Sequence, residues 1–159
     1  MVTGNEFHLA QVNVGRLLAP IDDPLIAEFV AQLDEINVLA ECSPGFVWRL
    51  KDESGNATSI LAFPDPQMII NMSVWESYEA LREYTYCSNH TKVLTRRREW
   101  FEKLKRPHLA LWWIPAGMLP TVEEAKRRLD LMAARGPSPE AFTFRDRFPA
   151  PLTAAAAAS

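Results

Sequence analysis

Apolar and polar residues alternate over residues 7–14. Leu9, Gln11 and Asn13 fall on one side and Ala10, Val12 and Val14 on the other, which predicts a strand with one apolar and one mixed face. The period then changes. Asp22-Asp23-Pro24 offers an Asp N-cap with proline in the first turn. Leu25, Ile26, Phe29, Val30, Leu33 and Ile36 follow at helical spacing, until Ser43-Pro44-Gly45 ends the run. Residues 46–51 alternate again and predict a second strand. Residues 52–56, with Ser54-Gly55, read as a loop; 58–63 fit a short returning strand, broken by Pro64-Asp65-Pro66. The next strand, 68–75, puts Ile70, Met72 and Val74 on one face and Ile69, Asn71, Ser73 and Trp75 on the other.

Ser77 caps a short helix carrying Tyr78, Leu81 and Tyr84, and a second helical run extends from about Ser88 to Lys105, stopped by Pro107. Residues 108–114 predict a strand rich in leucine and tryptophan. Thr121 and Glu124 form a capping box that opens a helix with Val122, Ala125, Leu129 and Met132 on one face, closed by Gly136-Pro137. One domain over 7–148 is expected, with 149–159, largely alanine, as a disordered tail. The order is β-α-β-β-α-β plus an extra C-terminal helix, an α+β chain built on the split unit of ferredoxin-like domains. Such a unit stacks both helices on one sheet face and leaves the other to be covered, often by a second copy.

Composition agrees with a single domain: 159 residues, 48% apolar, which suffices for a core without staples. A net charge of −3 gives no electrostatic reason for a nucleic-acid or anionic-membrane partner. No stretch approaches the roughly 20 apolar residues that cross a bilayer. The first six residues lack the basic start of a secretory signal, so the cytoplasm is the expected location. Cys42 and Cys87 make no C-x-x-C and read as small buried or half-buried thiols. Dinucleotide, nucleotide, hydrolase-elbow and zincin motifs are absent, and His8, His90 and His108 show no metal-ligand spacing.

Three features carry candidate chemistry. If 88–105 is one helix, Arg97 projects into a stripe of Val93, Leu94, Trp100, Phe101 and Leu104, with His90 near the same line. Arg97 and His90 then either face a cavity and hold an anionic or carbonyl-bearing ligand, or are structural, with Arg97 paired or snorkelling. Gln11 with Asn13, and Asn71 with Ser73 and Trp75, put polar groups on strand faces that either turn into a pocket or look into solvent. Five tryptophans suit a core or interface as well as an aromatic pocket.

The run Asn71-Met72-Ser73-Val74-Trp75-Glu76-Ser77, then Leu81, Ser88, His90 and Arg97-Arg98-Glu99-Trp100-Phe101, resembles an uncharacterised bacterial domain family. Ala10-Gln11-Val12-Asn13-Val14 and Leu111-Trp112-Trp113-Ile114-Pro115-Ala116-Gly117 extend the resemblance. That family is similar to the dimeric α/β-barrel superfamily of antibiotic-biosynthesis and haem-degrading monooxygenases. The resemblance implies a ferredoxin-like protomer, a homodimer, and a pocket between sheet and helices. In haem-degrading members an Asn on the first strand, a Trp ending the third and a following His form the site. Asn13 and Trp75 match the first two, while His90 stands farther from Trp75 than that pattern has it. The expected function is a small-molecule enzyme, a monooxygenase for an aromatic or polyketide-like substrate that needs no cofactor. Asn13 and Trp75, helped by Gln11, Asn71 and Ser73, would orient the substrate, with His90 as acid or base and Arg97 on a negative oxygen. The alternatives are a haem-binding protein with His90 as ligand, or a non-catalytic small-molecule-binding dimer.

Overall fold

The computed structural model describes residues 6–51, 62–87 and 96–151. Four strands, β1 (Phe7–Arg16), β2 (Phe46–Arg49), β3 (Met68–Trp75) and β4 (Leu109–Pro115), form one antiparallel sheet in the order β2-β3-β1-β4. The described helices are α1 (Ala27–Glu41), α2 (Tyr78–Cys87), the single turn α3 (Arg97–Trp100) and α4 (Val122–Arg135). None is long and apolar enough to cross a membrane.

Strand alternation divides the core in two. Ala10, Val12, Val14, Ile70, Met72, Val74, Ala110, Trp112 and Ile114 share one face, and each is at most 5% exposed. Ala125, Leu129 and Met132 of α4 close on that face. The opposite face packs Leu9, Trp75 and Leu111 against Tyr78 and Leu81 of α2 and Ala40 of α1. Farther along, Leu17, Ile26, Phe29 and Trp100 make a third cluster. The face that the bare split unit leaves open is therefore covered by the chain's own C-terminal helix where Ala125, Leu129 and Met132 pack.

After α4 the chain rounds the outer edge of β4. Leu111 N–H donates to Phe142 O at 2.7 Å and Phe142 N–H to Leu111 O at 2.9 Å, so the edge is covered. Phe142 is fully buried on the α2 side. Trp113 Nε1 then donates to Phe148 O at 3.0 Å and Tyr78 hydroxyl to Phe144 O at 3.1 Å. Residues 149–151 have no regular structure, and the rest of the expected tail lies outside the described residues.

Several expectations need correction. Asp23 does not cap α1; its carboxylate accepts from Leu25 N–H, in a turn that delays the helix to Ala27. Cys42 is exposed, because it ends α1 at the surface. Residues 62 and 63 are not strand, and the remainder of the proposed returning strand lies outside the described residues. The long helix over 88–105 does not continue past Trp100: Phe101 is extended, with φ −123° and ψ 145°. Trp100 O accepts from Leu18 N–H, Glu102 N–H donates to Arg16 O, and Phe101 bridges Leu17. β4 begins only opposite Asn13, so the last residues of β1 need other partners on that side, and this backbone demand overrides the helical period. Arg16 reinforces the join by pairing with Asp65 and Glu102.

Candidate functional site

The sheet face beneath α1 and α2 is apolar at one end and polar in the middle. α1 buries only Phe29 and Ala40 of its fifteen residues, so it does not seal the sheet under it. In the β1–β3 register Gln11 lies opposite Ser73 and Asn13 opposite Asn71, placing four polar side chains side by side. They are wired from the buried end outward. Trp75 Nε1 donates to Ser73 Oγ at 2.8 Å, and Gln11 Nε2 donates to Ser73 Oγ at 2.8 Å and to Asn71 Oδ1 at 2.7 Å. Gln11 and Ser73 are buried, Asn13 is half-buried, and Asn71 is exposed although it sits on an inner strand. With its carbonyl engaged by Gln11, the exposed Asn71 keeps its amide N–H groups for another partner.

Arg97 stands over the next step of β1. Its Nη2 lies 3.4 Å from Val14 O and its guanidinium covers the Phe101 ring, 4.9 Å from the centroid. Gly15 makes room: a Cβ there would lie 2.6 Å from Phe101 and 3.4 Å from Arg97 Nη2. By alternation Gly15 shares its face with Gln11 and Asn13, so Arg97 belongs to the same side of the sheet. Among the described residues no carboxylate pairs with Arg97, while the adjacent Arg96 holds both Glu28 and Glu99 and keeps those carboxyls below their ordinary range. Burial lowers the Arg97 pKa from a value so high that the group stays cationic. His108 is also lowered, by burial first and the Arg97 charge second, which favours neutral imidazole.

The structure therefore brings Gln11, Asn13, Asn71 and Ser73 together and puts Arg97 on their face. Trp75 is different: it is fully buried, edge-on to Phe46 and stacked on Tyr84 with centroids 5.0 Å apart, so it positions Ser73 instead of touching a ligand. His90 lies outside the described residues. Sequence reasoning passed over Gly15 and His108. A glycine inside a strand pattern is a signal of close approach, whereas nothing in the sequence marks His108. Among the described residues no three His, Cys, Asp or Glu side chains gather as for a metal.

Residues 8–158 match the family described as a domain of unknown function, DUF3291. The chain belongs to the DUF3291 family. This DUF3291 chain finds no match among curated proteins. Among solved structures, SnoaB, a cofactor-independent oxygenase from Streptomyces nogalater, is 17% identical with a TM-score of 0.44, over 72% of this chain and 98% of that one. PA3566 from Pseudomonas aeruginosa is 12% identical with a TM-score of 0.47, over 74% and 100%. NE2512 from Nitrosomonas europaea, of unknown function, is 12% identical with a TM-score of 0.46, over 74% and 99%.

Proposed function

We propose that this DUF3291 protein is a small-molecule enzyme whose substrate presents a carbonyl or anionic oxygen to Asn71 and Arg97. The observation that carries the reading is a pair of donors on one sheet face: an exposed amide whose carbonyl is held by Gln11 and a half-buried guanidinium with no carboxylate partner among the described residues. Such donors hold an oxygen best in its deprotonated form, lowering the cost of making an enolate or phenolate. An electron-rich anion of that kind reduces dioxygen itself: a ring CH2 carbon takes one oxygen atom and becomes a carbonyl, and its two hydrogens leave with the other oxygen as water. No external reductant is needed, which makes a monooxygenase acting on an aromatic or polyketide-like molecule the reading we adopt. Asn13 lies opposite Asn71 on the same face, and Gln11, Ser73 and Trp75 position the pair. His90 keeps the acid or base role on sequence grounds. The protomer is ferredoxin-like and acts as a homodimer in this reading.

The described residues do not fit haem. Trp75, which the resemblance would place beside it, is sealed between Phe46 and Tyr84 with its N–H committed to Ser73.

The test is enzyme-dependent oxygen uptake with a panel of polyphenols and cyclic 1,3-diketones, alongside equilibrium binding of each compound. Asn71→Ala and Arg97→Met, checked for folding by circular dichroism, are each expected to lower kcat/KM about 100-fold, the scale of losing one oxyanion donor. Saturable binding with no oxygen uptake would instead make the protein a non-catalytic carrier. Full activity in both variants would remove the site.

A further inference from the structure

A cavity of about 200 Å³ lies on the other face of the sheet, under α4. It forms where β1 and β3 run past the start of β4, so the sheet is narrower there and residues 104–107 stand in for the missing strand. Val14, Met68 and Leu129 make its floor, with Leu104 against them. Its rim is cationic. Lys105, Arg106 and Lys126 face it, against the single carboxylate of Asp130. Asp130 pairs with Arg106 at 3.3 Å with both side chains 73% exposed, a contact too wet to hold firmly. Lys126 donates to Ala62 O at 2.8 Å and lies over the Phe63 ring, and among the described residues no carboxylate pairs with it or with Lys105.

We infer that this cavity binds a short-chain alkyl carboxylate, the chain on the aliphatic floor and the carboxylate between Lys105 and Lys126. The size sets the chain: about 200 Å³ is well below the several hundred cubic ångströms of a drug-sized site, which limits the ligand to a short chain. The excess of cations sets the charge, and flexible Met68, Leu104 and Leu129 suit an alkyl chain over a rigid ring. This site is separate from the one proposed for catalysis. The two meet back to back at Val14, whose carbonyl lies beside Arg97 and whose side chain lines the cavity.

The experiment is a titration of the full-length protein with hexanoate, followed by calorimetry and by amide chemical shifts. One saturable site is expected, with shifts at Val14, Leu104 and Leu129. Lys126→Met should weaken it about ten-fold. Leu104→Trp, at a half-buried loop position, should fill the cavity and abolish binding while leaving the fold intact, which guards against Lys126→Met failing to fold. Arg97→Met should leave hexanoate affinity unchanged. Loss of binding in Arg97→Met with no loss in Lys126→Met would move the anion to the other site and overturn this inference, while supporting the catalytic reading. Hexanol binding as tightly as hexanoate, benzoate binding more tightly, or no saturable binding at all would each overturn it as well.

Discussion

Asn71 is held by its neighbours more than by its own strand. A buried indole donates to Ser73, Ser73 and Asn71 share the two N–H groups of Gln11, and the exposed donors left at the end of the chain are those of Asn71. A chain of this kind transmits order outward from a sealed core, so the exposed amide has one orientation. At the other end the Arg97 charge adds to burial in lowering the His108 pKa. His108 should therefore titrate below the ordinary histidine value of 6.5. Because the folded state disfavours its protonation, His108 adds stability that is full above that pH and is lost as pH falls through the lower folded value. Histidine chemical shifts followed against pH check the depression. In Arg97→Met the midpoint should rise only part of the way back, since burial is the larger cause; no movement would mean that Arg97's charge does not reach His108.

At the scale of elements, the well-marked ends were legible and the ambiguous ones were not. β3 occupies Met68–Trp75 as its alternation predicts, and Thr121 caps α4 as its capping box predicts, with Glu124 N–H donating to Oγ1 at 3.1 Å. The reciprocal arm is absent, because the Glu124 carboxylate turns to Arg128 four residues on. Thr121→Ala should cost about 1 kcal/mol in urea denaturation, the usual worth of an N-cap; a cost near zero would show that packing alone holds the helix start. The run through Phe101 and Leu104 misled because apolar residues at helical spacing do not reveal which backbone groups elsewhere lack partners. Trp100 enters the Phe29 cluster, Phe101 covers Gly15, and Leu104 goes to the opposite face of the sheet, three destinations no single helix serves.

For the whole molecule, the C-terminal segment covers surface that the four strands alone would leave open. α4 covers one sheet face, residues 138–142 cover the β4 edge, and Phe142, Phe144 and Phe148 return to the α2 side. Phe142 joins these parts, with its backbone on Leu111 and its ring in the core. Phe142→Ala should cost about 3–5 kcal/mol, read as a lowered denaturation midpoint with an unchanged slope. A small cost would show that the segment lies on the domain without supporting it.

The sequence by itself determined the order of strands and helices along the chain up to the helix break, which residues of β1 and of β3 share a face, and the extra helix with its cap. Periodicity and local hydrogen bonding depend on residues a few positions apart, and these are visible in the chain. Tertiary structure decided the rest: that α4 fills the open sheet face, that Trp75 is sealed while Asn71 is exposed, that the Arg97 segment leaves the helix to satisfy the end of β1, and that Gly15 admits it. Each of these turns on which distant group meets an unsatisfied backbone or an uncovered apolar surface, a choice made by the competition among all the packings open to the chain.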